Sequence, residues 1–226
     1  MRLSIIIPAL NESATIVATL APLQAMRARG VTVVLVDGGS EDDTIELAKP
    51  LSDKMVQSQK GRALQMNRGV ALVEAASDAY LFLHADSILP PDIDSAIAHA
   101  LLSNPWGRFD VIIQGTHKLL PMVAWMMNQR SRLSGIATGD QGIFMRREVF
   151  EATGGYANQR LMEDIEMCKR LNKIGSPANL KQRIMTSGRR WDKHGLWQTI
   201  WLMWWLRWQY YFDADADKLH SQYYGK

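Results

Sequence analysis

Two apolar runs in this chain end on an acid: Val31 to Val36 leads into Asp37-Gly38-Gly39-Ser40, and Tyr80 to Leu83 leads into His84-Ala85-Asp86. Each run is short enough to be a buried strand. Open parallel sheets bind ligands beyond the carboxyl ends of their strands, so both acids would be delivered to a ligand-binding edge. A carboxylate there can hold a divalent cation against phosphates, and His84 beside Asp86 makes a metal-ligand pair. Asp37 can accept hydrogen bonds from a ribose or base edge, while Gly38 and Gly39 permit a tight turn and close approach of a ligand to the backbone. Asp-Gly is also ordinary turn chemistry, which is the competing reading of Asp37.

Further along, Glu163 and Asp164 sit among apolar neighbours in Leu161 to Ile165, a setting that can restrict water and tune a carboxylate toward base chemistry. Adjacent residues on a helix point roughly 100° apart, so the two cannot share one catalytic position. Both also suit a helix amino end through its dipole. Asp140 and Gln141, flanked by Gly139 and Gly142, form a polar loop able to hydrogen-bond the hydroxyls of a ligand, or a turn stabilised by Asp140. Lys60 and Arg62 stand where a helix begins, a favoured place for phosphate, though a solvated pair fits equally. His194 can contact a metal or a diphosphate. His99, His117 and His220 take no role.

These groups need a frame. The pattern predicts strand 3 to 7, helix 12 to 29 capped at Asn11, strand 31 to 36, helix 43 to 49, strand 54 to 57, helix 61 to 76 and strand 79 to 84, which reads as a parallel sheet with right-handed crossovers. After Pro90 and Pro91 a helix over 92 to 103, a strand over 108 to 114, a methionine-rich helix over 119 to 133, a loop over 135 to 142, a strand over 143 to 145 and a helix from 161 follow. No repeat or linker appears. With 226 residues and 47% apolar content the chain can bury one core, a domain over 1 to 191 with an extension over 192 to 226.

A formal charge of +3, scattered rather than blocked, suits an anionic cofactor and gives no reason to expect a nucleic acid. The one cysteine, Cys168, excludes an internal disulfide and fits a reducing compartment; its neighbours Ile165 and Met167 suggest a packed helix position. The chain opens on a strand without the marks of a secretory signal, so a cytoplasmic setting is expected. No GxGxxG follows the first strand, and neither GxxxxGK[ST] nor GxSxG occurs.

Taken in order, Pro8-Ala9-Leu10-Asn11-Glu12, Asp37 to Ser40, His84 to Asp86, Glu163-Asp164 and Arg190-Trp191 resemble a family 2 glycosyltransferase of the GT-A fold, over nearly the whole chain. Thr138 to Gly142 and Ser187 to Trp191 resemble, more narrowly, a bacterial subgroup labelled arsenosugar-biosynthesis glycosyltransferases. The resemblance implies a Rossmann-like, mostly parallel sheet flanked by helices. It also implies transfer of a sugar from a nucleotide-sugar donor to a hydroxyl acceptor with inversion, using a magnesium or manganese ion. Under it, Pro8 to Glu12 line the nucleotide pocket, Asp37 contacts the donor base, Asp86 matches the last acid of the DxD metal signature, and Asp164 matches the base beside the acceptor. His84 stands where the first acid of that signature would be. Ser187 stands where a QxxRW motif has glutamine, so no processive synthase is inferred. Lys60, Arg62 and Arg190 are candidate cations for the diphosphate.

Two rivals are a sugar-phosphate nucleotidyltransferase, whose glycine-rich, arginine-containing loop is missing from Pro8 to Ser13, and a silent nucleotide-sugar binding protein, against which Asp86 and Asp164 weigh. Finally, Trp197, Trp201, Trp204, Trp205 and Trp208 fall within an arc of about 100° on a helix. Their segment, Leu196 to Phe212, is shorter than the roughly 20 residues that span a bilayer. The stripe can pack on the domain, pair with a second copy or lie in a membrane interface; packing against protein is the expectation.

Overall fold

The computed structural model describes residues 1 to 212 with Leu219 and Gln222, the side chain of His194 excepted. Strand β1 (Leu3–Ala9) is followed by helices α1 (Ile16–Leu20) and α2 (Gln24–Ala28), strand β2 (Thr32–Asp37), helix α3 (Thr44–Ala48), strand β3 (Lys54–Gln57), helix α4 (Arg62–Val73) and strand β4 (Ala79–Phe82). Then come strand β5 (Ser87–Ile88), helix α5 (Ile93–Ser103), strand β6 (Trp106–Gln114), helix α6 (Leu120–Ser134) and strand β7 (Ile143–Arg146). Helices α7 (Arg147–Thr153) and α8 (Glu163–Ile174), strand β8 (Ala178–Ser187), and helices α9 (Arg189–His194) and α10 (Leu196–Tyr211) complete the described elements.

The strands form one sheet in the order β3-β2-β1-β4-β7-β6-β8-β5. β3, β2, β1 and β4 are mutually parallel. β7 runs antiparallel to β4 and to β6, and β8 runs parallel to β6. The carboxyl ends of β1, β2, β4, β6 and β8 therefore share one edge with the amino end of β7. Half of the sheet is parallel as expected, and the other half is mixed.

β1 shows why the sequence folds this way. Its isoleucines are fully buried but serve opposite faces: Ile5 and Ile7 join the layer of Ile16, Leu20, Met26 and Ile97, while Ile6 joins Met66, Val70, Met167 and Leu171. A strand covered on both faces reads as a continuous apolar run, and each such side chain contributes on the order of 1.5–3 kcal/mol by leaving water. Gly69 lets α4 approach the sheet closely, since a Cβ there would lie 2.5 Å from the Ile6 Cγ2.

Some boundaries differ from expectation. The helix expected over 12 to 29 begins at Ile16, because Asn11 is left-handed at φ 54° and Glu12 opens a turn, and it is interrupted by a 3-10 turn at Ala21–Leu23. Pro22 has no N–H to continue the ladder. β8 went unread because Lys181, Gln182 and Arg183 expose its middle, masking the two-residue alternation. β5, α7 and α9 were also unread. α10 packs through Leu196, buried with Val111, Leu120 and Val123, and through Leu206, buried with Leu161. Its tryptophans do not take part in that packing: Trp197, Trp201, Trp204, Trp205 and Trp208 are exposed, because the helix turns its aliphatic side inward.

Candidate functional site

The β1 and β2 loops meet first. The Asn11 amide donates to Ser40 Oγ at 2.9 Å, and Asn11 Oδ1 accepts from the Glu41 amide at 2.8 Å. Asp37, at the end of β2, is buried; its carboxylate accepts from the Gly39 amide at 2.8 Å and from Ser40 Oγ at 2.5 Å. Turn chemistry therefore engages both of its oxygens, with Gly39 at φ +94° supplying the left-handed residue. Pro8 is buried within β1, opposite Val36. Gln65 on α4, which no sequence signal marks, donates to the Ala9 carbonyl at 2.9 Å and the Val36 carbonyl at 2.8 Å. It thus holds the ends of β1 and β2 together, and Gly38 lies against its amide.

Beyond β4 the chain delivers His84, Ala85 and Asp86. Ala85 is buried and its carbonyl accepts from Thr19 Oγ1 at 2.9 Å, which fixes the loop. His84 Nδ1 stands 3.3 Å from Asp140 Oδ1, and Thr186 Oγ1, near the end of β8, donates to the same oxygen at 3.3 Å. Asp140 lies in a 3-10 turn (Gly139–Gln141) that leads into β7. Three strand ends meeting at one edge thus converge on one carboxylate. Burial and Arg62 oppose charge on His84, but its bond to Asp140 and the charges of Asp140 and Asp86 prevail and raise its pKa above the ordinary value. Asp140 is held below the ordinary carboxylate range, with burial opposed chiefly by the His84 bond and charge.

Asp86 is pushed up, by burial first and then by the negative charges of Asp140 and Glu12. Arg189, on α9, offsets that charge. Its Nη2 donates to Glu12 Oε2 at 2.8 Å and lies 3.4 Å from Asp86 Oδ2. Sequence reasoning singled out Arg190 and missed Arg189, since spacing cannot tell which of two adjacent arginines faces the edge. Arg190 is half-buried on the same helix. Trp191 packs with Val111, Val123 and Leu196, so its indole is part of the core beneath α6. The His194 side chain lies outside the described residues.

Asp164 stands in the first turn of α8, after Met162 at φ 66°, one of three non-glycine residues with positive φ among those described. Asn11, in the loop after β1, is another. Such backbone costs energy and clusters at functional sites. Asp164 Oδ2 accepts from the Gly139 amide at 2.9 Å and Oδ1 from the Ile165 amide at 2.7 Å, fixing the carboxylate plane. Glu163 turns away toward Arg62, with Oε1 3.8 Å from Nη1. Burial and the Asp164 charge raise the Glu163 carboxyl above its ordinary value.

Gly139 joins the two halves of the site. Its amide holds Asp164, and a Cβ on it would lie 2.1 Å from His84 Nε2, so the imidazole packs directly on that backbone. A cleft of about 90 Å³, open to solvent, is lined by Arg62, His84, Asp140, Glu163 and Asp164, with Met203, Leu206 and Arg207 of α10 as its far wall. A narrow recess, with room for about one water, reaches in to Phe82 and Tyr156.

Two expected contacts are placed elsewhere. Gln141 is fully buried and donates from Nε2 to Ser131 Oγ at 2.9 Å, so its amide is a core node beneath the turn. Lys60 is exposed ahead of α4 and does not line the cleft.

Residues 4–154 match the family model described as Glycosyl transferase family 2. The chain is 29% identical over 191 residues to the succinoglycan biosynthesis protein ExoA of Rhizobium meliloti (strain 1021), covering 76% of this chain and 58% of that protein. It is 38% identical over 93 residues to a PGL/p-HBAD biosynthesis glycosyltransferase of Mycobacterium bovis (strain BCG / Pasteur 1173P2), covering 38% of this chain and 36% of that one. The chain thus matches little more than half of the first relative's length and about a third of the second's.

In fold it is similar to glucosyl-3-phosphoglycerate synthase from Mycobacterium tuberculosis, with a TM-score of 0.61 at 18% identity over 86% of this chain and 75% of that one. It is likewise similar to the mannosyltransferase PcManGT from Pyrobaculum calidifontis, with a TM-score of 0.63 at 20% identity over 81% and 56% of the two chains. The sheet with helices on both faces is that of GT-A glycosyltransferases. With the family model covering 4–154 of 226 residues, the chain belongs to glycosyl transferase family 2.

Proposed function

We propose that this chain transfers a sugar from a nucleotide-sugar donor to a hydroxyl acceptor, with a divalent cation and with inversion, and that Asp164 is the base. One observation carries the reading: through Gly139, the carboxylate of Asp164 and the His84–Asp140 pair border the same cleft, and Asp86 lies near enough to that pair for their charges to act on one another. The acceptor hydroxyl is a weak nucleophile, and a fixed carboxylate beside it takes its proton as it attacks the anomeric carbon. The two backbone amides aim Asp164 into the cleft, and the apolar side chains of Leu161 and Met203 limit water there.

The site suits a magnesium or manganese ion. Its donors are carboxylates and an imidazole, which those ions accept, and the burial of Asp86 beside Asp140 and Glu12 leaves a demand for positive charge. No three His, Cys, Asp or Glu side chains are already gathered as a metal cage among the described residues. Asp86 is then the anchor, with Asp140 and His84 beside it, in keeping with ions bound through one or two carboxylates and substrate phosphates. When bound, the cation supplies charge to the leaving diphosphate oxygen. Arg62 and Arg189, with Arg190 as a further candidate, supply cations to the diphosphate. Structures of the two fold neighbours hold Mn2+ with uridine diphosphate or with GDP-Man, which supports this reading.

The likeness of Thr138 to Gly142 and Ser187 to Trp191 to the arsenosugar subgroup supports a small-molecule acceptor. A thermal-shift panel of UDP, GDP, TDP and CMP sugars, with and without Mn2+, tests the proposal. Selective stabilisation by one nucleotide, enhanced by the ion and lost in Asp86→Ala, is expected, because a ligand of the folded state raises its stability. No shift with any nucleotide in the presence of Mn2+ contradicts it.

A further inference from the structure

We propose that Arg189 competes with the divalent cation for Asp86 and gives way when a nucleoside diphosphate draws its guanidinium across, so that ion and nucleotide bind cooperatively through this one side chain. The inference rests on the reading that Asp86 anchors the ion, and goes beyond it in assigning the coupling to Arg189.

The contact is built from both sides. Arg189 opens α9, and the root of that helix is tied to the end of β6. The Gly188 amide donates to the Gln114 carbonyl at 2.6 Å, a Cβ on Gly188 would lie 2.5 Å from that oxygen, and Thr116 Oγ1 donates to Asp192 at 2.6 Å. Across from it, Thr15 Oγ1 donates to Glu12 Oε2 at 2.8 Å and fixes that carboxylate. Asp86 follows Ala85, whose carbonyl accepts from Thr19. One nitrogen serves both acids: Arg189 Nη2 lies 2.8 Å from Glu12 Oε2 and 3.4 Å from Asp86 Oδ2.

Charge sets the ion and the arginine against each other. Magnesium binds oxygen at about 2.0–2.1 Å, so an ion on Asp86 Oδ2 is pressed against a guanidinium 3.4 Å from the same oxygen. Arg189 is half-exposed and its contact with Asp86 is the longer of the two, so leaving it costs little. Among the described residues no other hydrogen bond engages the guanidinium, which leaves Nε and Nη1 open to a ligand. A diphosphate offers paired oxygens that match this fork. It meets Arg189 better in the displaced arrangement than in the one held by Asp86, and that difference in affinity is what shifts the equilibrium. By reciprocity, the ion then tightens the nucleotide by the factor by which the nucleotide tightens the ion.

Titration of the full chain with Mn2+, read from the electron paramagnetic resonance signal of the free ion, tests the proposal without sugar transfer. Arg189→Ala is expected to bind Mn2+ about two- to fivefold more tightly than the native chain, the span that a half-exposed ion pair supplies. Lys193→Ala, which removes a charge from the same helix, should leave the affinity unchanged and so separates contact from net charge. In an Asp86→Asn background, Arg189→Ala should have no effect. With UDP, GDP and TDP added in turn, one of them should tighten Mn2+ in the native chain by a factor about two- to fivefold larger than in Arg189→Ala. Should the alanine variant not fold, Arg189→Gln makes the same measurement. Equal Mn2+ affinity in the native chain and the Arg189 variant, with binding lost in Asp86→Asn, overturns the proposal and leaves the ion at Asp86. Equal tightening by Lys193→Ala, or equal coupling to the nucleotide with and without Arg189, overturns it likewise. Mn2+ binding that ignores Asp86→Asn overturns both the proposal and the ion reading beneath it.

Discussion

Asp140 occupies the place across from His84 that an acid at position 84 would otherwise contest, with Oδ1 3.3 Å from Nδ1. An acid from the turn before β7 thus faces the position where a DxD signature has its first acid, and the charges of Asp140 and Asp86 raise the imidazole's pKa.

That pair has a pH signature. His84 is raised, so its contribution to stability is complete below its unfolded value near 6.5 and fades as pH rises through the higher folded value. Asp140 is lowered, so its contribution is present above its unfolded value near 3.9 and fades as pH falls through the lower folded value. In chelator-treated protein, His84→Asn should lower the melting temperature most between pH about 4 and 6.5, with the difference shrinking toward pH 9. A difference that does not vary with pH removes the ion pair from the account.

Gly139→Ala tests the joint between the two acids. The new methyl would lie 2.1 Å from His84 Nε2, so the ring must leave or the turn must open. Overpacking of this kind costs about 1–3 kcal/mol, and displacing Asp164 by 1 Å can cost roughly 100-fold in rate. A variant with native stability and native transfer shows that the joint is slack.

Gln141→Ala separates a core amide from a sugar contact. The side chain is fully buried and bonded to Ser131 Oγ, so truncation should cost about 1–3 kcal/mol in denaturant unfolding through the groups left unpaired. The KM for donor should stay within about twofold of the parent, which corresponds to only ~0.4 kcal/mol. A tenfold rise in KM with intact stability would restore the sugar contact.

The parallel half of the fold was legible because Ile5, Ile6 and Ile7 or Val33 to Val36 must be buried on both faces, and such runs announce themselves. β8 was not, since its polar centre resembles a loop. In the site, Asp86 was marked by its place at the end of an apolar run and Asp140 by its glycine-flanked loop, whereas the role expected of Asp164 came from the family resemblance. The convergence of Asp140 with His84 could not, because it depends on β7 running antiparallel to β4, which no local signal encodes. Arg189 and Gln65 were missed for the same reason: long-range register decides what a polar side chain touches.

Most directly, the account rests on proton removal by Asp164. Release of nucleoside diphosphate coupled to glycosylated product should be measured for the native chain and Asp164→Asn, with the donor identified by the thermal-shift panel and Mn2+ present. Asparagine keeps the shape of the side chain but can accept from only one of the two backbone amides, so the melting temperature should fall modestly and the donor-induced shift should hold, while transfer falls about 10²–10⁴-fold, the range general-base catalysis supplies. Transfer by Asp164→Asn at the native rate would contradict the account.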